Sequence, residues 1–163
     1  MKFVTLFGAC LLPCCLLAAE SQHKSMPMQS HAGMHAASMQ WGDAPPGLPK
    51  GAKLAVLSGN PGAAGMFTVR LKMPPGYRIP RHTHPTDEMV TVIQGHLDFS
   101  MGEAANAHGG MYGAGDFVNL PTGMQHAVST KGGAIVQVQA MGPFEINYVN
   151  PADDPRGMAN MKK

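Results

Sequence analysis

The stretch GYRIPRHTHPTDEMVTVIQG, residues 76–95, decides how this chain is read, together with GDFVNLPTGMQHAVST, residues 115–130. His82 and His84 stand two apart, so on an extended strand both rings leave the same face, about 6.6 Å apart along it. Glu88 keeps the same parity, although Pro85 interrupts a simple continuous strand. His126 follows Gly115, Pro121 and Gly123, turn residues able to bring a distant strand alongside. Three imidazoles and one carboxylate can occupy one face of a divalent ion. Imidazole suits Zn, Cu, Fe and Ni, and the carboxylate widens the choice to Mn. Four protein ligands leave one or two positions open on a five- or six-coordinate metal, for substrate, water or dioxygen.

Around these stretches the chain is written in short segments of β character. Residues 66–73 alternate, with Phe67, Val69, Leu71 and Met73 on one face and Thr68, Arg70 and Lys72 on the other. Residues 88–93, 96–101, 116–120, 126–129, 135–140 and 144–149 follow, and 53–57 opens the series. Many short strands at this spacing, separated by Gly, Pro and Asn, predict a sandwich or barrel. Composition agrees. Gly 20 and Pro 14 in 163 residues disfavour a helical bundle, because each weakens or breaks helix interiors. The formal charge is only +2, which gives no basic excess for nucleic acid.

The ends are of a different character. Lys2 precedes an uncharged, mostly apolar run over 3–19 and then the polar Glu20-Ser21-Gln22, so residues 1–19 are expected to be a cleaved secretory signal peptide. The run is near the lower limit for spanning a bilayer and contains Pro13, so no stable membrane insertion is expected after signal removal. Cys10, Cys14 and Cys15 all lie inside it, leaving the mature chain with no disulfide, thiolate ligand or cysteine nucleophile. Any site must then use His, carboxylate or Met. Residues 20–40 lack periodicity and read as a flexible linker, yet His23, Met26, Met28, His31, Met34, His35 and Met39 crowd into it. Thioether and imidazole are soft ligands suited to copper. The body runs over 41–149, and 150–163 reads as a C-terminal surface extension.

Taken together, the two quoted stretches resemble the cupin family. Gly76, His82, His84, Glu88 and Gly95 match its first motif at every fixed position. Gly115, Pro121, Gly123 and His126 match the second, in which Thr130 stands where Asn is usual. The resemblance implies an all-β, single-domain jelly-roll barrel with His82, His84, Glu88 and His126 as ligands of one metal inside it. A homodimer is the partner arrangement it allows. His96, just after the Gly95 turn, and His108, in a Gly/Ala-rich loop, are expected to be exposed, Asp116 to cap a turn, and Phe99, Met101 and Phe117 to form core or pocket wall.

Three functions fit these residues. The first is an exported mononuclear-metal enzyme, oxygenase or isomerase in type, acting on a small molecule. The second is a non-catalytic periplasmic protein that binds metal or ligand, with copper handling as its sharpest form. In the third, metal only stabilises the barrel. An ion acquired after export favours Cu or Zn over Mn, Fe or Ni in a nitrogen-rich site.

Overall fold

The structure is a computed structural model and describes residues 33–160. The expected signal segment, and His23, Met26, Met28 and His31 of the expected linker, lie outside the described residues.

The chain builds β1 (Gly42–Asp43), β2 (Lys53–Ser58), β3 (Gly65–Met73), β4 (Arg78–Thr83), β5 (Glu88–Met101), β6 (His108–Gly113), β7 (Phe117–Leu120), β8 (His126–Ser129), β9 (Ala134–Gly142) and β10 (Asn147–Tyr148). A six-residue helix, α1 (Pro155–Asn160), follows. All pairings are antiparallel, in the order β1-β2-β3-β9-β5-β8-β4-β10, with β6 and β7 also on β5. The result is an all-β jelly-roll barrel whose two sheets share β5. Its first half pairs with β9 and β7, its second with β8 and β6.

Alternation places the core. In β3 Phe67, Val69, Leu71 and Met73 are buried, and opposite them on β9 lie Ala140, Val138, Val136 and Ala134. Fully burying a side chain of this size contributes about 1.5–3 kcal/mol, so this facing set is a principal source of stability.

Residues 88–93 and 96–101 were expected to be two strands; they are one strand with a corner. A bulge between Val92 and Gln94 adds a residue, and inward-facing positions change from even (Glu88, Val90, Val92) to odd (Leu97, Phe99). Gly95, at φ 79°, sits at that corner. The change of parity is what made one strand look like two.

Three further expectations are corrected. The loop assigned to His108 and its glycines is strand β6, which Gly109-Gly110 hides because glycines carry no alternation. The strand expected over 144–149 shrinks to β10, while Phe144, Glu145 and Ile146 border the barrel mouth. Phe117 is 55% exposed and is not core, whereas Phe99 is buried and Met101 packs against the core. His96 and His108 are exposed as expected, and Asp116 closes its turn by accepting from the Gly113 N–H at 2.7 Å.

Candidate metal centre

Local irregularities aim the histidines inward. On β4 the register shifts between Ile79 and His82, so both of these face the barrel although they stand an odd three positions apart. Pro80 lies within the shifted stretch, and its carbonyl lies 2.7 Å from His82 Nδ1. His84 falls just past the end of β4. Glu88 is the first residue of β5 rather than a continuation of the His82 strand, and His126 opens β8 beside His82 in register.

The fold brings these four side chains together. One ring nitrogen from each of His82, His84 and His126 lies within 4.8 Å of the others. Glu88 Oε2 stands 3.3 Å from His126 Nε2 and 3.5 Å from His84 Nε2. All four are buried, at 3%, 6%, 8% and 1% exposure for His82, His84, Glu88 and His126, which is unusual for ionisable groups without a task.

The outer nitrogens settle the tautomers. His82 Nδ1 meets Pro80 O, His84 Nδ1 meets Glu145 O at 2.6 Å, and His126 Nδ1 meets Met124 O at 3.1 Å. A carbonyl oxygen only accepts, so each Nδ1 carries the hydrogen, and a neutral ring held this way turns its Nε2 lone pair inward. His84 Nε2 is buried without a hydrogen-bond partner among the described residues. Three converging lone pairs, each ring oriented by a carbonyl behind it, fit a transition-metal ion. The donor set of three nitrogens and one carboxylate oxygen suits Zn, Cu, Fe or Ni.

Electrostatics keep His82, His84 and Glu88 deprotonated. Burial, with the neighbouring His126, holds His82 down to about 3, and burial likewise lowers His84. Burial pushes the Glu88 carboxyl up, but the imidazoles of His126, His84 and His82 gathered around it outweigh that, and Glu88 stays below its ordinary value. At neutral pH, His82 and His84 are therefore free bases and Glu88 is a carboxylate. In metal-free protein the unfolded chain takes up protons at 6.5 before the folded histidines do, so stability is lost as pH falls from about 6.5 towards 3. We expect urea unfolding of chelator-treated protein to show a loss of a few kcal/mol between about pH 7.5 and 4.5. A midpoint that stays flat over that range would show that the rings are not buried neutral.

A cavity of about 270 Å³ opens above the site, with His82, His84 and Glu88 in its floor. Its walls are mostly apolar and include Leu48, Leu54, Phe67, Val69, Phe144 and Ile146. Phe144 stacks on the His84 ring, with centroids 4.3 Å apart and planes 16° from parallel. The segment carrying Gly47 and Leu48 crosses the mouth and is fastened by two hydroxyls. Tyr148 Oη donates to Gly47 O at 2.8 Å, and Tyr77 Oη donates to Pro49 O.

A family model for the ChrR cupin-like domain matches residues 29–145. The chain belongs to the ChrR cupin-like domain family. No curated protein matches it. Among solved structures, this cupin is similar to the polyketide cyclase RemF from Streptomyces resistomycificus, at 19% identity and TM-score 0.64, covering 82% of this chain and 95% of that one. It is also similar to an RmlC-like cupin from Shewanella frigidimarina, at 17% identity and TM-score 0.55, covering 69% and 91%. The DMSP lyase DddQ from Ruegeria pomeroyi matches at 25% identity and TM-score 0.56, covering 71% and 63%. These likenesses establish a jelly-roll cupin barrel.

Sequence reasoning did not find several residues at this cupin's mouth. Arg156, in the stretch read as a surface extension, lines the cavity with Glu145 and Ile146. No motif marks these positions. They reach the cavity through the path of the chain across the mouth. Arg81 is tied to Ser100 Oγ at 2.7 Å and to Gly102 O. Thr130 is buried; its N–H donates to Tyr77 O at 3.0 Å, next to the Arg78–Ser129 pair that ends the β4–β8 ladder.

Proposed function

We propose that this chain is an exported, periplasmic cupin that holds one divalent transition-metal ion through His82, His84, Glu88 and His126. It acts as a mononuclear-metal enzyme on a small molecule seated in the cavity above them. The observation that carries the reading is the convergence of three inward Nε2 lone pairs whose Nδ1 atoms are each engaged by a backbone carbonyl. The bound ion would supply Lewis acidity or dioxygen activation at its open position.

The chain's own groups do the rest. The apolar wall excludes water and orients the ligand body. Glu88, a carboxylate at neutral pH with Oε2 facing two rings, can hold a proton moved from the ligand. Two of the similar structures are a polyketide cyclase and a DMSP lyase, both enzymes, which supports a catalytic reading of the same barrel. Export rests on Lys2 and the apolar run that follows it.

Two measurements test this. Protein isolated from its native compartment is expected to contain chiefly Cu or Zn; chiefly Mn or Fe would reverse the metal preference and favour an oxygenase. A screen of metal-loaded protein against small phenols, thiols and dicarbonyls, following oxygen uptake and product formation, is expected to reveal turnover. Glu88→Gln is expected to reduce that turnover by about a hundredfold while the three histidines retain most metal. Metal-loaded protein inert to every class would leave a binding protein.

Copper handling is the second reading, favoured by the Met and His residues crowded into 23–39. Deleting residues 21–40 is expected to slow copper uptake if this segment delivers the ion. Unchanged uptake would make the segment a tether.

A further inference from the structure

The cavity is polar at both ends and apolar between them. His84 and Glu88 stand at the inner end, the Arg156 guanidinium stands at the rim, and Leu48, Phe144 and Ile146 lie along the way. Arg156 Nε donates to both Asp154 oxygens at 2.8 and 3.1 Å; Nη2 donates to Asp154 Oδ2 at 2.8 Å and to Ile146 O at 2.9 Å. Nη1 has no partner among the described residues.

The space beside Nη1 is kept open by Gly47. Its φ is not positive, so the backbone there does not demand glycine. A Cβ at that position would lie 2.9 Å from Ile146 Cγ2 and 3.8 Å from Nη1. Glycine therefore serves room: a larger residue would press on Ile146 and close on the half-exposed head of Arg156.

One segment fixes the spacing of the two polar ends. Glu145 O accepts from His84, and the next carbonyl, Ile146 O, accepts from Arg156. Consecutive residues rise only about 3.3 Å, so a ligand touching both ends is compact. Charge narrows its chemistry. Asp154 already neutralises the guanidinium, and the Glu145 carboxylate lies near it too. With no surplus positive charge at the rim, the open N–H groups suit a neutral oxygen better than a bare anion.

We propose that Arg156 is a specificity-determining residue and that the cavity takes a compact, mostly apolar molecule with two oxygen functions. One oxygen function meets the His84 and Glu88 end, and a carbonyl oxygen at the other end accepts from Arg156 Nη1. The inner contact rests on the metal reading proposed above; the outer one rests on Arg156 and Gly47.

The test is calorimetric titration of zinc-loaded protein with straight-chain keto acids of four to eight carbons, each paired with the plain carboxylic acid of equal length. At one length the keto acid is expected to bind about tenfold more tightly than its plain partner. Arg156→Met should abolish that advantage while changing the plain acid's affinity less than twofold. Gly47→Val, whose side chain grows from a Cβ 3.8 Å from Nη1, should abolish it too and carries the test should Arg156→Met fail to fold. An advantage that survives either substitution in folded protein overturns the proposal. So does the absence of any difference between keto and plain acids in the native protein, including the absence of binding. Plain acids that bind zinc-loaded and chelator-treated protein equally would defeat the metal reading alone, because the keto increment is read separately.

Discussion

Replacing His126 with Ala is expected to reduce metal affinity at least a hundredfold and to lower the melting temperature by about 10 °C. His126 is the most deeply buried of the four clustered groups, at 1% exposure, and its ring centroid lies 4.1 Å from that of His82. Its removal takes away one of three nitrogens and leaves the Glu88 carboxylate without its 3.3 Å partner. It also widens a void of about 40 Å³ that already lies between His126 and the core below. Truncating a buried ring costs about 3 kcal/mol through lost contacts and cavity, and stranding a buried carboxylate adds to that. In a barrel of this size such a loss corresponds to about 10 °C. Elemental analysis and calorimetry of the variant, beside His96→Ala as an exposed-histidine control, check both numbers. Unchanged metal content in His126→Ala would remove the support for the site.

Replacing Gly95 with Ala is expected to destabilise the barrel by about 3 kcal/mol or more although it adds one methyl group. Gly95 has φ 79°, a region that side chains rarely adopt. A Cβ there would lie 2.3 Å from Gly133 O and 3.0 Å from Ala134 Cα, both backbone atoms of the neighbouring strand, which cannot rotate away. Relief requires opening the β5–β9 ladder at the corner where β5 passes from one sheet to the other. Gly115→Ala is the contrast. It too has positive φ, but no heavy atom lies within 4 Å of the added Cβ, so it incurs the backbone term alone, about 1 kcal/mol. Equal unfolding midpoints for the two variants would show that the close approach at Gly95 does not matter.

The contrast also separates what the sequence discloses from what it conceals. Gly95 is legible as a position of the first motif, whereas the approach of Gly133 O that leaves room only for hydrogen is not. The two-sheet barrel is legible because Phe67, Val69, Leu71 and Met73 alternate without interruption. The pairing of His82 with His84 is legible from spacing, and the joining of Glu88 and His126 to it from the motif resemblance, although Glu88 reaches the cluster from β5 and not along the strand of His82. Features that depend on register rather than pattern are hidden. The bulge in β5 reverses parity and disguises one strand as two, and Gly109-Gly110 gives β6 no alternation to read. The carbonyls of Pro80, Met124 and Glu145 that orient the rings are invisible in any sequence, since every residue carries one. Arg156 and Gly47 are hidden for a further reason: they meet only because the two ends of the barrel chain cross the same mouth.

The most direct measurement is an anomalous-difference map from crystals grown with zinc and recorded at the zinc absorption edge. One strong peak is predicted between the three histidine rings, with Nε2 of His82, His84 and His126 at about 2.0–2.1 Å and a Glu88 oxygen at about 2.0–2.2 Å. Rings turned away from one another with no peak between them, or zinc held only on exposed His96 or His108, would contradict it.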